Sequence, residues 1–231
     1  MQKIAWSYSR LTDFENCPLL FQHKHILKTI KFVANEAMER GKKIHQALEH
    51  NTVRAIHGRE PVPGEVAHVQ PIINNFVRNH QEILIEEKIT FDQHLNETSW
   101  FSKDAWFRAV IDMVGRTNIT NDGTTQEQTV SIIDWKTGQY RPSTDQLKLY
   151  NMAAFLKWSQ VQQVTSALVF VDHKKSSPPL TTSRLELQDL VQEFGDRSEA
   201  IQIANEKDDW PAKKCFQCRW CGVADCQYIN R

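Results

Sequence analysis

A chain of 231 residues, 40% of them hydrophobic, is long enough to bury a substantial core as one large domain or two small ones, which argues against disorder. Its 28 Lys+Arg balance 28 Asp+Glu, so no global basic field announces a nucleic acid or an anionic membrane, and any such partner must be met by a local patch. No apolar run approaches the roughly 20 residues of a membrane span, and the opening MQKIAWSYSRLTD lacks the apolar core of a secretory signal, so a soluble, unexported, cytoplasmic protein is expected.

In chain order, Ser9 is expected to cap a short helix carrying Leu11 and Phe14, with Cys17 as a break and Pro18 in the first turn of a second helix through Phe21 and Ile26. Between Asn35 and Ile56, Ala37, Met38, Gly41, Ile44, Ala47 and Leu48 recur at helical spacing. His45 lies beside that stripe, and Gly41 one turn earlier leaves room for another element to approach closely. A loop at Pro61 to Gly64, a helix over 66–81 and a strand over 83–91 follow. Residues 100–118 read as one long or two short strands, Asn121-Asp122-Gly123 as a turn, and TVSIIDWK as the next strand. A helix over 143–158, the buried-looking strand VTSALVFVDH, a loop at Pro178-Pro179 and a helix over 186–205 complete the chain, with Trp210-Pro211 closing it. No repeat or low-complexity linker interrupts this order, which describes an α/β protein with a mixed central sheet and helices on its faces.

Alternation along TVSIIDWK puts Asp134 and Lys136 on one side of the strand. A carboxylate and an ammonium together at the end of an apolar strand suit metal-assisted hydrolysis, one holding a hard cation and the other orienting water. By itself the pair is also what an exposed strand-end ion pair looks like, worth at most about 1 kcal/mol. Asp112, flanked by apolar residues on the strand that the Asn-Asp-Gly turn would pair with that of Asp134, is a charge that costs free energy unless paired or metal-bound. Gln146 and Tyr150 are four apart on the following helix and share a face.

The ordered set Cys17-Pro18, Gly41-x-x-x-His45, Val110-Ile111-Asp112, Ile133-Asp134-Trp135-Lys136, Gln146-x-x-x-Tyr150 and the C-terminal cysteines resembles the RecB-type PD-(D/E)xK nucleases, notably the AddB-like and CRISPR-associated exonucleases that carry an iron-sulfur cluster. The resemblance spans nearly the whole chain. It implies a single domain over 1–231 with a restriction-endonuclease-like core, in which segments 1–35 and 206–231 form the cluster-binding part. It implies that His45, Asp112 and Asp134, with the main-chain carbonyl of Trp135, bind one or two Mg²⁺ or Mn²⁺ ions, that Lys136 polarises the attacking water, and that Gln146 and Tyr150 hold DNA and support the site. Asp134 stands where relatives often have Glu. Glu86 and Glu87 fall in a strand where relatives often carry an acid, and are expected to be a solvated strand-end pair rather than ligands.

Five cysteines, four of them (Cys215, Cys218, Cys221, Cys226) in the last 17 residues, argue for a metal or cluster site over a disulfide framework in an unexported chain. Local spacing alone favours a Cys₄ Zn²⁺ site. The resemblance instead implies a [4Fe-4S] cluster on Cys17, Cys218, Cys221 and Cys226, with Cys215 as the alternative ligand, joining the chain ends in a structural rather than a redox role.

Residues 1–50 carry eight Lys/Arg (Lys3, Arg10, Lys24, Lys28, Lys31, Arg40, Lys42, Lys43) against five acids, Lys213, Lys214 and Arg219 flank the cysteines, and Phe21, Phe32, Tyr140 and Trp220 are candidate faces for stacking bases. The expected function is metal-dependent exonucleolytic hydrolysis of DNA, on single-stranded ends in recombination or repair, with a helicase or recombination protein as partner because no ATP-binding motif is present. The alternatives are a catalytically weak DNA-binding or assembly module with a structural metal centre, or a zinc protein whose acids are ordinary surface charge.

Overall fold

The structure, a computed structural model, describes residues 3–30, 35–117, 128–224 and 226–228. Its helices are α1 (Tyr8–Asn16), α2 (Pro18–Phe21), α3 (Glu36–Ile56), α4 (Gln70–Asn79), α5 (Thr144–Lys157) and α6 (Leu187–Lys207). Its strands are β1 (Glu82–Phe91), β2 (Phe107–Thr117), β3 (Gln128–Lys136), β4 (Val161–Phe170), β5 (Lys175–Ser176) and β6 (Leu180–Ser183). They form one six-stranded sheet of order β1-β2-β3-β4-β5, with β6 on β4. β2 and β3 are antiparallel, whereas β3 and β4 are parallel and joined through α5, so the expected mixed α/β sheet is present.

Two compact units divide the chain: 3–30 with 90–108, 192–224 and 226–228, and 35–89 with 109–117 and 128–191. The first has an aromatic core in which the Trp6 ring lies 4.7 Å from Phe107 and 6.3 Å from Phe194, and Phe21 stacks 5.9 Å from Trp210. In the second, Ile44 and Leu48 of α3 and Ile73 and Phe76 of α4 pack with Met113, Ile133, Trp135 and Val169. Val130, Ile132 and Asp134 alternate with Ile133 and Trp135 along β3, and both sets are buried. α5 is buried on almost every side, from Leu147 to Phe155, as expected of a helix that is apolar all round.

Several local details differ from the sequence expectation. Ser7, not Ser9, caps α1: its hydroxyl accepts from the Arg10 N–H at 3.4 Å, and Ser9 lies inside the helix. α2 continues as a wider turn over Gln22–Ile26. The helix expected over 66–81 begins as a tight turn at Ala67–Val69 and ends at Asn79. Residues 100–106 are turns and loop, so β2 starts only at Phe107; Trp106 instead meets Trp6 edge-on, ring centres 5.2 Å apart, an aromatic contact that apolar composition cannot distinguish from strand burial. β4 starts earlier than expected, at Val161, and the chain turns off the sheet at Val171–His173. The expected Asn121-Asp122-Gly123 turn lies outside the described residues.

Two contacts set how closely the elements approach the sheet. A Cβ on Gly115 would meet the His80 ring at 2.4 Å, so β2 can carry only glycine where His80 folds over it. Gly115→Ala is expected to destabilise the fold by about 1–3 kcal/mol through overpacking, with His80→Ala restoring part of that stability; urea unfolding of the three proteins measures both. Asp172, just past β4, accepts from Arg40 Nη1 at 3.0 Å and from the Gly138 N–H at 2.7 Å, tying α3 to the turn after β3. The Arg40 guanidinium, helped by the Gly138 N–H, pulls the Asp172 carboxyl down to about 2. A carboxyl lowered on folding stabilises at pH above the unfolded value near ~4 and loses that effect as pH falls toward the folded value. Thermal melts of wild type and Asp172→Asn should therefore differ at neutral pH and converge as the pH approaches 2; a constant gap would contradict this clamp.

Candidate active site

The site forms where the β2–β3 ladder stops. Pairing runs from Thr117↔Thr129 to Met113↔Ile133 and goes no further. One step beyond, Asp112 and Asp134 stand opposite each other, and the Trp135 N–H donates to Asp112 Oδ2 at 2.7 Å instead of to a ladder carbonyl. A side chain has replaced the backbone acceptor, leaving both carboxylates where the strands part. In an extended strand the N–H and C=O of one residue point to the same edge, so the Trp135 carbonyl also lies on the Asp112 side.

α3 brings His45 to this point. Asp112 Oδ1 lies 3.6 Å from His45 Nδ1. The helix comes close at Gly41, whose added Cβ would sit 3.0 Å from Thr137 Oγ1 just after β3, the close contact that the glycine suggested. Glu86 on β1 completes the group: ligand atoms of His45, Glu86 and Asp112 all lie within 4.8 Å of one another. Glu86, expected as a solvated charge at a strand end, instead lies in mid-strand with its carboxylate next to His45 and Asp112. Glu86 holds a left-handed backbone (φ 52°) in mid-strand, a conformation that a non-glycine residue adopts at a cost, and no periodicity in ILIEEKITF announces it. Glu87, on the other side, pairs with Lys157 at 2.7 Å.

Asp134 is only 3% exposed, and its partners are those the sequence placed near it. Lys136 Nζ lies 2.5 Å from Oδ2. The Tyr150 hydroxyl donates to Oδ1 at 2.8 Å, and Gln146 Nε2 donates to the Tyr150 oxygen at 2.7 Å and to Oδ1 at 3.4 Å. Tyr150 is itself buried. The i, i+4 pair on α5 therefore grips the carboxylate of β3.

The cysteines gather in the other unit. Cys17, at the extended break between α1 and α2, packs with Leu20 and Val223 among Cys215, Cys221 and Cys226, and Cys218 is buried next to Cys215. All five are free thiols. Backbone N–H groups are aimed at the sulfurs: Lys213 donates to Cys17 Sγ at 3.4 Å and Cys215 to Cys218 Sγ at 3.3 Å, while Gln217 and Val223 donate to Cys215 and Cys221. Burial pushes the Cys215 and Cys221 thiols up. Trp220 beside them is 74% exposed, but Phe21, expected as a stacking face, is fully buried in the aromatic core, and Phe32 lies outside the described residues.

The sequence matches the profile of the PD-(D/E)XK nuclease superfamily over residues 5–226. The chain belongs to that superfamily. Among solved structures, a candidate exonuclease from Eubacterium rectale aligns with 98% of this nuclease and 88% of its own chain at 12% identity and a TM-score of 0.51, a likeness of fold. SSO0001 aligns with 99% of it and 88% of its own chain, at 12% identity and a TM-score of 0.48. No curated protein matches the sequence.

Nucleases of this superfamily use divalent metal ions, and the donor set of this one fits such an ion. One imidazole nitrogen and several carboxylate oxygens, with no thiol, suit Mg²⁺ or Mn²⁺. The electrostatics agree. Burial pushes the Glu86 carboxyl up, with the charge of Asp112 adding to it. Burial also pushes Asp134 up, with Asp112 adding and Lys136 opposing. The hydrogen bond to Asp112 pushes His45 up, and burial next to Asp134 holds Tyr150 well above the usual phenol range. Crowded carboxyls that are reluctant to ionise together are what a bound cation relieves. Removing one donor by His45→Ala, Glu86→Gln or Asp112→Asn should weaken Mn²⁺ binding at least tenfold by calorimetry, with the fold retained by circular dichroism. Tyr150→Phe, which deletes only the hydroxyl on Asp134, should lower activity or metal affinity by about 10- to 100-fold, and wild-type values in that variant would remove Tyr150 from the site.

Proposed function

We propose that this chain is a metal-dependent DNA exonuclease of the RecB/AddB-like branch of its superfamily, acting on single-stranded ends. The observation that carries this reading is the meeting of His45, Glu86 and Asp112 with the Asp134–Lys136 pair where β2 and β3 separate. A divalent cation held there supplies a water of lowered pKa and offsets the charge that builds on the phosphate. Asp112 and Asp134 would present oxygens to it, and His45, Glu86 and the Trp135 carbonyl would be its further donors. Lys136, held by Asp134, orients the attacking water and offsets the negative charge on the phosphate oxygens. Gln146 and Tyr150 act through Asp134, fixing the carboxylate so that its geometry does not relax when Lys136 moves toward substrate.

The cysteine group supports a [4Fe-4S] cluster on Cys17, Cys218, Cys221 and Cys226, with Cys215 as the alternative ligand. Backbone N–H groups aimed at sulfur are the kind of hydrogen bond that tunes such clusters. A centre linking Cys17 to the C-terminal cysteines closes a long loop and stabilises the first unit by constraining the unfolded chain. Nothing in this role requires electron transfer.

The test is degradation of end-labelled single- and double-stranded DNA by anaerobically purified protein, with Mg²⁺ and Mn²⁺ supplied separately. Wild type should shorten the single strand from an end, and Asp134→Ala and Lys136→Ala should lose this by at least a hundredfold. Tight DNA binding without cleavage in either metal would instead make the chain an assembly module. The same preparation should be brown and contain iron and acid-labile sulfide in near-equal amounts; colourless protein with stoichiometric zinc and no iron overturns the cluster.

A further inference from the structure

The first unit contains a cavity of about 410 Å³ lined by Lys3, Arg10, His25, Lys28, Lys103 and Arg108 among its residues, and no carboxylate among the described residues lines it. None of these residues belongs to the His45–Glu86–Asp112 group or to the cysteines. Cationic side chains that converge without acids repel one another, so they are kept together for a reason outside the chain or neutralised by a neighbour. Of the nearby acids, Asp104 is exposed next in sequence to Lys103, and Asp13 is already engaged: its Oδ2 pairs with Lys24 Nζ and with His25 Nε2, each at 2.7 Å.

Two guanidiniums are among its lining groups. Arg10 donates to the Ala5 carbonyl at 2.6 Å, and burial together with the charge of Arg108 lowers its pKa. Arg108 lies 5.8 Å from the centre of the Trp100 ring, and its Nε hydrogen is buried with no acceptor among the described residues. The charge of Arg108 acts against that of Arg10 across the lining of one cavity, and an oxyanion held there would offset the repulsion. Lys28 and Lys103 are exposed, while Lys3 reaches Gln93. A volume of this size accommodates a phosphate group with part of its sugar.

We propose that this cavity is an oxyanion site that holds a backbone phosphate of the bound DNA strand, with Arg10 and Arg108 as the fork and Lys28 and Lys103 as the entry. The assignment of the anion to DNA rests on the nuclease reading above; the site itself rests on the cationic cavity. Phosphates held in this way position a strand and read no sequence.

Lys28→Glu/Lys103→Glu alters only exposed positions, and Arg108→Gln removes one of the two guanidinium charges that line the cavity. Two measurements are made on each protein without divalent metal: anisotropy of a labelled oligothymidine across a salt series, and the thermal melt with and without inorganic phosphate. Wild type should bind the strand at least tenfold more tightly than either variant. Its log affinity should fall more steeply with log salt, the slope differing by about 0.7 for each phosphate that a variant no longer neutralises. Phosphate should raise the melting temperature of wild type more than that of Arg108→Gln. Equal strand affinity and equal phosphate protection in all three proteins would overturn the site. Equal strand affinity with protection confined to wild type would overturn the strand assignment in favour of a free phosphate compound. Protection confined to wild type in a protein that binds no DNA would uphold the oxyanion site while the nuclease reading fails.

Discussion

A carboxylate at 3% exposure in a sheet must be held in place by charge and hydrogen bonds or it loses its proton only with difficulty, and the arrangement around Asp134 answers that constraint. Lys136 comes from its own strand two residues on, Tyr150 and Gln146 from the helix that follows, and Asp112 from the strand opposite. The crossover β3–α5–β4 puts α5 against the sheet so that residues 12 and 16 positions after Asp134 reach back to it. The end of the β2–β3 ladder is the other half of the same constraint. Were pairing to continue past Met113↔Ile133, the Trp135 N–H would meet a backbone carbonyl, and Asp112 would have no reason to turn toward it.

From that point outward the second unit can be read as support. α3 comes down next to Thr137 at Gly41 and brings His45 within reach of Asp112. Arg40, one residue earlier, anchors the same helix through Asp172 to the Gly138 turn. Glu86 accepts an unfavourable backbone conformation in the middle of β1 to join His45 and Asp112. Local strain of about 1–3 kcal/mol persists only where surrounding structure over-determines it, and here the neighbouring groups are the candidate donors to a cation. The superfamily membership of the chain and the donor set of the site agree on the same chemistry from independent directions.

The first unit has a different logic. Its core is aromatic, built from Trp6, Phe14, Phe21, Phe107, Phe194 and Trp210, and it draws on three separate stretches of chain. The cysteines sit at the break after α1 and along the C-terminal turns, with main-chain donors turned to their sulfurs. Side chains that the composition suggested as a diffuse basic surplus are divided by this topology. Lys3, Arg10 and Lys28 line the cavity of this unit, Lys24 is tied to Asp13, and Arg40 serves α3 of the other unit. A net charge of zero therefore coexists with a cavity lined by no acid among the described residues.

What was legible from residues alone was whatever a short period or a short spacing encodes. Alternation in TVSIIDWK was enough to put Asp134 beside Lys136, and helical spacing to align Gln146 with Tyr150 and to delimit α3 almost to the residue. Contacts that depend on where the ladder stops were not legible, because register and strand ends are set by pairing partners distant in sequence. The left-handed turn at Glu86 left no trace in the pattern of ILIEEKITF, and the role of Phe21 depended on which aromatic rings would surround it. By itself the sequence determined the mixed α/β class, the acid-lysine pair and the clustering of thiols. Only the tertiary structure decided that Glu86 joins His45 and Asp112, and that Arg10 and Arg108 face one cavity, since both depend on strands and helices that meet across long stretches of chain.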